Sequence, residues 1–416
     1  MRRLHRLRTA IAGIGLGAVL IAGVVTAPGA SAAGTSAGLD REALRQSLDA
    51  VRDAGMYGTF SAVRDGGSRW AGASGVADVH TGRPVTADME HRVGSVTKAF
   101  TSTAVLQLVG KRRIALDAPV ADYVPDLVPG ERGRAITVRM LLNHTSGIGD
   151  YVLAAFPSLP HNSPASLDDN RFRRFTPGQL IRFGLDATAT GSPGQTPGHY
   201  SNTNYVIAGE ILRRVTGQDP ERWITDHVIR PAGLRHTYFP TTPRIQGPHS
   251  KMYESLYGLI DPPRDYSVYD MSWAGTAGAL ISTMDDLNRF YRALLGGRLV
   301  GPAELSEMQR TVNMDGIDYG LGIYTLDIPG CGRFWGHDGS VFGAGTVVLS
   351  SADGTRQVAA ALNRQKYQEP TDDGTAVEPH AIDYAFNDYL VGALCPAQSP
   401  GLAPATLPRA EPTLLP

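Results

Sequence analysis

The sequence contains few cysteines and few lysines. Only two of its 416 residues are cysteine and four are lysine, so arginine supplies most of the positive charge. No Cys–His spacing of a zinc site, no H-E-x-x-H motif and no long basic run occurs. We therefore expect no metal, no other cofactor and no nucleic-acid partner. The formal net charge is −1, and 42% hydrophobic with 19% charged residues is the composition of a globular protein.

The first 32 residues have the pattern of a secretory signal peptide. Arginines at positions 2, 3, 6 and 8 precede an apolar stretch over residues 11–25, and Ala30-Ser31-Ala32 supplies small residues at the cleavage spacing. The alternative is a membrane anchor, but the stretch is shorter than the roughly 20 residues of a span. We expect secretion, cleavage near Ala32 and no stable membrane span.

The two cysteines, Cys331 and Cys395, are an even number in a chain predicted to be exported. This predicts one disulfide that ties a late strand to the end of the chain, with two free thiols as the alternative.

Hydrophobic periodicity predicts strands and helices near both ends of the chain and a helix-rich middle. Two short runs on either side of Asp65-Gly66-Gly67 predict a β-hairpin, and residues 319–362 predict a series of antiparallel strands. The clearest predicted helices cover residues 39–54, 95–109, 204–216, 284–295 and 381–393.

This order favours a single domain over residues 39–395. Its α/β part would comprise about 39–130 and 290–395, with a helical part at about 131–289 between them. A catalytic cleft is expected where the two parts meet. The tail, residues 396–416, is rich in Pro, Ala and Leu and is expected to be disordered or trimmed.

The first chemical motif is Ser95-Val96-Thr97-Lys98. On a helix, residues i and i+3 share a face, so the Lys98 amine can reach the Ser95 hydroxyl. A serine hydroxyl needs a base to take its proton, and a buried lysine with a depressed pKa can act as one. Ser95 as a helix cap and Lys98 as a surface residue are the alternative, because S-x-x-K recurs by chance.

The second motif is Tyr200-Ser201-Asn202, on a loop before a predicted helix. A phenol beside a lysine ammonium is expected to have a lowered pKa and to move protons. Asn202 offers a donor and an acceptor to a substrate amide. The alternative is a turn with a buried tyrosine.

The third motif is His337-Asp338-Gly339-Ser340, after a predicted strand. The small Gly339 would let a substrate chain lie along the strand edge. The N–H groups of Ser340 and Ser95 could then form an oxyanion hole. A glycine-rich hairpin with a solvated histidine is the alternative.

In this order, the three motifs resemble the serine penicillin-recognising family. The chain is similar to class C β-lactamases and, more closely, to secreted actinobacterial D-alanyl-D-alanine carboxypeptidases of peptidase family S12. Further similar stretches are residues 92–100, 141–147, 272–278 and 319–322. The resemblance implies a mixed α/β fold with a five-stranded antiparallel sheet flanked by helices, an all-α domain alongside, and a disulfide placed much like Cys331–Cys395.

The resemblance also implies a role for each matching residue. Ser95 would be acylated, Lys98 and Tyr200 would exchange its proton, and Tyr200 would activate the deacylating water. His337 would support this proton network. Asn202 would bind the substrate amide, and Trp273 would line the cleft unless it is a core residue.

The sequence departs from the carboxypeptidases where they grip the free carboxylate of the substrate. Asp338 occupies the position of a threonine, and the preceding strand lacks their arginine. Two negative charges 4–5 Å apart repel by about 3–4 kcal/mol at an effective dielectric near 20. Arg333 would share a face with His337 and could neutralise Asp338 or replace the missing arginine; the alternative is a solvated Arg333.

These observations predict a secreted, D-stereospecific serine peptidase of the D-alanyl-D-alanine carboxypeptidase type, with possible transpeptidation or aminolysis. The alternatives are an esterase or D-amino-acid amidase of the same fold, a class C-like β-lactamase, and a non-catalytic penicillin-binding module. Because of Asp338, a preference for uncharged amides, esters or internal peptide bonds is a second hypothesis. We expect a monomer, a peptide or peptidoglycan-type substrate, and inhibition by β-lactams.

Overall fold

The structure is a computed structural model that describes residues 39–371 and 376–395. The predicted signal peptide at residues 1–32 and the tail at residues 396–416 lie outside the described residues.

The centre of the protein is a nine-stranded antiparallel sheet with the strand order β3-β2-β1-β13-β12-β11-β10-β9-β8. The resemblance implies five strands; the five longest strands here are β1, β2, β11, β12 and β13, and shorter strands extend the sheet at both edges. The strands are β1 (Gly58–Asp65), β2 (Ser68–Asp78), β3 (Arg83–Pro84), β8 (Val312–Met314), β9 (Ile317–Tyr319), β10 (Tyr324–Ile328), β11 (Gly332–Val341), β12 (Ala344–Ser351) and β13 (Arg356–Leu362).

Three small sheets join loops around this centre, one pairing β4 with β7, one ordered β14-β5-β6, and one pairing β15 with β16. Their strands are β4 (His91–Arg92), β5 (Tyr253–Glu254), β6 (Arg264–Asp265), β7 (Ile281–Ser282), β14 (Arg364–Gln365), β15 (Glu369–Pro370) and β16 (Val377–Glu378).

Helices cover both faces of the sheet, and eleven of the thirteen α-helices in the described residues lie between β4 and β8. They are α1 (Arg41–Asp53), α2 (Thr97–Gly110), α3 (Gly130–Ala135), α4 (Val138–Leu142), α5 (Val152–Ala155), α6 (Ala165–Asp169), α7 (Pro177–Asp186), α8 (Asn202–Thr216), α9 (Pro220–Ile224), α10 (Gly275–Gly278), α11 (Met284–Leu295), α12 (Pro302–Met308) and α13 (Ala381–Leu394). The predicted helices at both ends of the chain are confirmed by α1 and α13.

The terminal helices α1 and α13 pack together on one face of the sheet. In α1, the Asp40 side chain caps the first turn, and Leu44, Leu48 and Val51 form the buried face that periodicity predicts. The other face carries the larger apolar core, which includes α2, α8 and α11.

Helix α2 runs through this larger core, and all but three of its residues are buried. Apart from Lys98, its sequence is apolar or weakly polar all round, as is typical of a fully buried helix. A 3-10 turn at Gly94–Val96 leads into the helix, so the predicted helical start at Ser95 is correct to within two residues. The packing of α2 in the larger core therefore fixes the positions of Ser95 and Lys98.

The predicted disulfide is formed: Cys331, in the turn between β10 and β11, is bonded to Cys395 at the end of α13. It ties a strand hairpin to the last helix. None of the helices in residues 39–371 and 376–395 is long and apolar enough to cross a membrane.

Candidate active site

Ser95 and Lys98 meet at the start of α2. The Lys98 Nζ lies 2.9 Å from the Ser95 Oγ, as the i, i+3 spacing predicts. Nζ also lies 2.7 Å from Asn202 Oδ1 and 2.9 Å from the backbone carbonyl oxygen of Ala277. The Lys98 side chain is fully buried, so the surface alternative is wrong.

Burial lowers the pKa of Lys98 to about 7, against the opposing effect of the carboxylates of Asp150 and Asp338. Desolvation penalises the ammonium form, and the two carboxylates recover only part of that penalty. Near neutral pH a large fraction of Lys98 is therefore a neutral amine, which can accept the proton of Ser95.

Tyr200 brings a second proton-carrying group to the same hydroxyl. Its phenol oxygen lies 2.6 Å from Ser95 Oγ, and its ring centroid lies 4.7 Å from Lys98 Nζ. The expected lowering of its pKa is wrong: burial raises the pKa of Tyr200 well above its usual value, and Asp338 and Asp150 raise it further. Tyr200 is therefore a neutral hydrogen-bond donor to Ser95, and Lys98 is the stronger candidate for the resting base.

The loop that carries Tyr200 is fixed from two sides. The His144 ring stacks on the phenol with centroids 4.3 Å apart, and its Nδ1 accepts the Ser201 N–H. Asp315, in the turn between β8 and β9, accepts the Tyr200 N–H and binds His199 Nδ1 at 2.7 Å. The position of the phenol is thus set by two distant parts of the chain.

Asn202 is oriented by Asp150. Asp150 Oδ2 accepts the Asn202 N–H at 2.7 Å and the Asn202 side-chain amide at 2.8 Å, while Oδ1 accepts the Val152 N–H. The Asn202 carbonyl oxygen consequently faces Lys98. One amide hydrogen remains for a substrate, in keeping with the predicted role.

The sequence pattern did not predict Asp150 as a site residue, nor His144 in a structural role. The only signal for Asp150 was its place three residues after the similar stretch at residues 141–147. Nothing local indicated that its carboxylate would meet an amide 52 residues later in the chain.

Strand β11 touches the turn that carries Ser95, and the contact requires two glycines. A Cβ on Gly339 would lie 2.0 Å from the carbonyl oxygen of Val93 and 2.8 Å from the Ser95 nitrogen. A Cβ on Gly94 would lie 2.7 Å from the Ser340 nitrogen. The two backbones are therefore in direct contact, and this contact places the amide nitrogens of Ser95 and Ser340 close together.

His337 is buried, so the solvated alternative is wrong. Its Nε2 lies 2.8 Å from the Tyr319 hydroxyl, and Tyr319 packs with Tyr200. Burial and the charge of Lys98 lower the pKa of His337 to about 3, so it is neutral at physiological pH. It can hold a hydrogen bond in the network, but it does not add positive charge.

Asp338 leaves β11 on the opposite face from Gly339. It accepts a hydrogen bond from the Tyr324 hydroxyl, and its side chain is 26% exposed. Burial raises its pKa to about 6, because the hydrogen bonds and the charge of Lys98 offset the desolvation only in part. Asp338 is thus mostly ionised at neutral pH and close enough to Lys98 and Tyr200 to affect both.

Arg333 is not brought to Asp338. Both of its guanidinium contacts, each 2.8 Å, are with Asp327 on β10, and the pair is more than half exposed. The prediction that Arg333 neutralises Asp338 is therefore wrong, because a neighbouring surface carboxylate holds the guanidinium. Substrate binding by Arg333 stays a prediction, which this contact disfavours.

Trp273 lies in an aromatic cluster. Its ring stacks on Phe342 with centroids 5.1 Å apart and meets the edge of Phe156 at 5.3 Å. The side chain is 6% exposed and belongs to the larger core, so its contacts are those of a packing residue.

Within the described part of the chain, no group of three or more His, Cys, Asp or Glu side chains is arranged to hold a metal ion.

The chain is similar to known proteins over most of its length. The family model described as Beta-lactamase matches residues 41–381. Penicillin-binding protein 4 of Amycolatopsis lactamdurans is 31% identical over 315 residues, 70% of this chain and 76% of that protein. Esterase EstB of Burkholderia gladioli is 32% identical over 214 residues, 49% of this chain and 54% of the esterase.

A solved structure is also similar over most of the chain. The D-stereospecific amidohydrolase from Streptomyces sp. superposes with a TM-score of 0.74 at 34% identity, covering 86% of this chain and 100% of that chain.

Proposed function

Because the chain belongs to the beta-lactamase family, we propose that it is an exported serine hydrolase that acts on D-amino-acid amides, esters and peptide bonds through an acyl-Ser95 intermediate. Family membership confirms the resemblance, and the mixed α/β fold predicted from it is confirmed as well. The observation that carries the proposal is that Ser95 Oγ lies within hydrogen-bond distance of both Lys98 Nζ and the Tyr200 phenol.

Acylation begins with the transfer of the Ser95 proton to the neutral amine of Lys98. The Ser95 oxygen attacks the substrate carbonyl carbon, and the amide N–H groups of Ser95 and Ser340 stabilise the negative charge that develops on the carbonyl oxygen. Tyr200 then donates its phenolic proton to the leaving nitrogen or oxygen and is reprotonated from Lys98. The acyl group remains on Ser95 as an ester.

Deacylation reverses the direction of proton flow. A water molecule attacks the ester carbon while Tyr200 receives a water proton and passes one to Lys98. Because burial keeps the pKa of Tyr200 high, the phenol acts as a relay and Lys98 stores the proton. The Ser95 oxygen takes a proton back as the product leaves.

The substrate class follows from the charges at the strand edge. A carboxypeptidase of this family needs a positive group for the free carboxylate of its substrate. Here Arg333 is held by Asp327, and the ionised Asp338 repels a carboxylate. This favours acyl donors without a free C-terminal carboxylate.

Two named relatives bear on this choice. The similar structure named as a D-stereospecific amidohydrolase supports D-amides as substrates. Our second candidate is D-alanyl-D-alanine carboxypeptidase activity, which the resemblance of the three motifs implies. The relative named as a penicillin-binding protein supports the binding of penicillin. Export rests on the N-terminal sequence pattern and the Cys331–Cys395 disulfide.

The test compares kcat/KM for a peptide ending in D-Ala-D-Ala with its C-terminal amide and methyl ester, together with the L-stereoisomers. We expect the D-amide and D-ester to be preferred over the free acid. Asp338→Thr should shift the preference toward the acid by about tenfold or more, because a like charge is removed. A strong preference of the wild type for the free acid would refute the substrate class and select the carboxypeptidase.

Rate measurements with p-nitrophenyl esters and penicillin separate the other candidate functions. Turnover of p-nitrophenyl esters without turnover of any amide selects an esterase, which the similarity to EstB favours. Fast penicillin hydrolysis selects a β-lactamase. Covalent labelling of Ser95 without turnover of any substrate selects a non-catalytic penicillin-binding module.

A further inference from the structure

Beyond Gly336, the outer edge of β11 is open. Strand β10 pairs with β11 only from Gly332 to Gly336, whereas β12 continues along the other edge as far as Val341. Residues 337–341 of β11 therefore have a free edge beside Ser95. An extended substrate that joins this edge continues an antiparallel sheet.

Antiparallel pairing fixes which part of the substrate lies next to Asp338. The acyl carbonyl sits at the Ser340 N–H, beside Ser95. Moving from Ser340 back to Asp338 covers about 7 Å along β11. In an antiparallel partner, the same step leads from the acyl residue toward the leaving group. Asp338 thus lies beside the group that departs in acylation and beside any amine that takes its place.

The Asp338 carboxylate has no cationic partner of its own. In residues 39–371 and 376–395, the only ion-pair contact of Asp338 is with His337 at 3.9 Å, and that imidazole is neutral at physiological pH. Arg333 is bound to Asp327. Lys98 influences Asp338 by its charge, but it hydrogen-bonds Ser95, Asn202 and Ala277. A partly exposed carboxylate is therefore left at the open strand edge.

We propose that Asp338 forms an acceptor subsite that binds a cationic group on the leaving or incoming amine, so that acyl-Ser95 is transferred preferentially to amines that carry a second, protonated amino group. This inference rests on the proposed acyl-enzyme and specifies its acceptor. Like charges directly opposite across strands are destabilising and opposite charges stabilising, so the same carboxylate that rejects an amino acid as acceptor attracts a diamine.

The transfer step balances without any added reagent. The free amino nitrogen of the acceptor attacks the ester carbon of acyl-Ser95, and a carbon–nitrogen bond forms. The nitrogen loses one proton to Lys98 through Tyr200, and the carbon–Oγ bond breaks. Oγ receives one proton from the same pair, so the products are an amide and free Ser95.

The test uses three small acceptors that differ in the charge beside the reacting amine: glycine, glycinamide and singly protonated ethylenediamine. D-alanine p-nitrophenyl ester acylates the enzyme, and mass spectrometry gives the ratio of amide product to free D-alanine. The rate of amide formation is divided by the concentration of unprotonated amine. The rate measured with the Ser95→Ala variant is subtracted as background. Comparison between variants cancels the intrinsic nucleophilicity of each amine.

We expect wild-type enzyme to prefer ethylenediamine over glycine, and Asp338→Asn and Asp338→Thr to reduce that preference by about tenfold or more. Asp327→Asn removes a carboxylate from the neighbouring strand outside the cleft and should leave the preference unchanged. A preference that stays within threefold of wild type in both Asp338 variants overturns this inference alone. Failure to form acyl-enzyme or to release D-alanine would instead refute the proposed function.

Discussion

The contact between β11 and the Ser95 turn makes Gly339→Ala a sharp test of how the oxyanion site is built. The new Cβ would lie 2.0 Å from the Val93 carbonyl oxygen, where ordinary contacts exceed 3.4 Å. The strand must therefore move away from the turn by more than about 1 Å, taking the Ser340 N–H with it. Loss of one oxyanion donor costs about 10²–10³ in rate, and overpacking costs about 1–3 kcal/mol in the free energy of unfolding.

The assay is the rate of acylation by D-alanine p-nitrophenyl ester, with urea unfolding measured in parallel. Gly336→Ala is the matched control, because Gly336 lies on the same strand as Gly339. Its new Cβ would lie 1.8 Å from the carbonyl oxygen of Val348 on β12, away from Ser95. We expect both variants to lose stability, but only Gly339→Ala to lose acylation by 10²-fold or more beyond its stability loss. Acylation by Gly339→Ala within threefold of the Gly336→Ala rate would refute the reasoning.

Three further predictions concern the pKa of Lys98, the carboxylate of Asp150 and the disulfide. The acylation rate should rise with pH through about 7, because Lys98 accepts the Ser95 proton only after losing its own; a rate that falls as pH rises from 6 to 8 would contradict this. Asp150→Asn removes a carboxylate that raises the pKa of Lys98, so the midpoint of that profile should move to lower pH, and a shift to higher pH would disprove it. Replacing Cys331 and Cys395 by serine should cost about 2–4 kcal/mol in urea unfolding without changing the acylation rate of folded enzyme, whereas a loss below 0.5 kcal/mol would show that the cross-link is not stabilising.

The parts of the fold that local pattern controls were predictable from the sequence. Helix α1 buries the predicted face, and the hairpin of β1 and β2 forms around the predicted turn. The i, i+3 spacing places Lys98 beside Ser95 because helix geometry alone decides it. The short edge strands β3, β8 and β9 were not predicted, since two or three residues show no periodicity.

The electrostatics of the site were not predictable in the same way. The pKa of Tyr200 depends on the burial of its ring and on two carboxylates far away in sequence, so proximity to Lys98 gave the wrong sign. Arg333 has the predicted position on its strand, but its partner is a cross-strand aspartate whose register is fixed only in the folded sheet. Asp150 acts on Asn202 through a contact that no local pattern indicates.

The central claim is that Ser95 carries the acyl group. The most direct measurement is intact mass after incubation with a fluorescent penicillin or with D-alanine p-nitrophenyl ester, followed by acid quench and peptide mapping. We expect one acyl group on Ser95 in the wild type and none in Ser95→Ala. An acyl adduct on another residue of the wild type, or an undiminished adduct in Ser95→Ala, would contradict it.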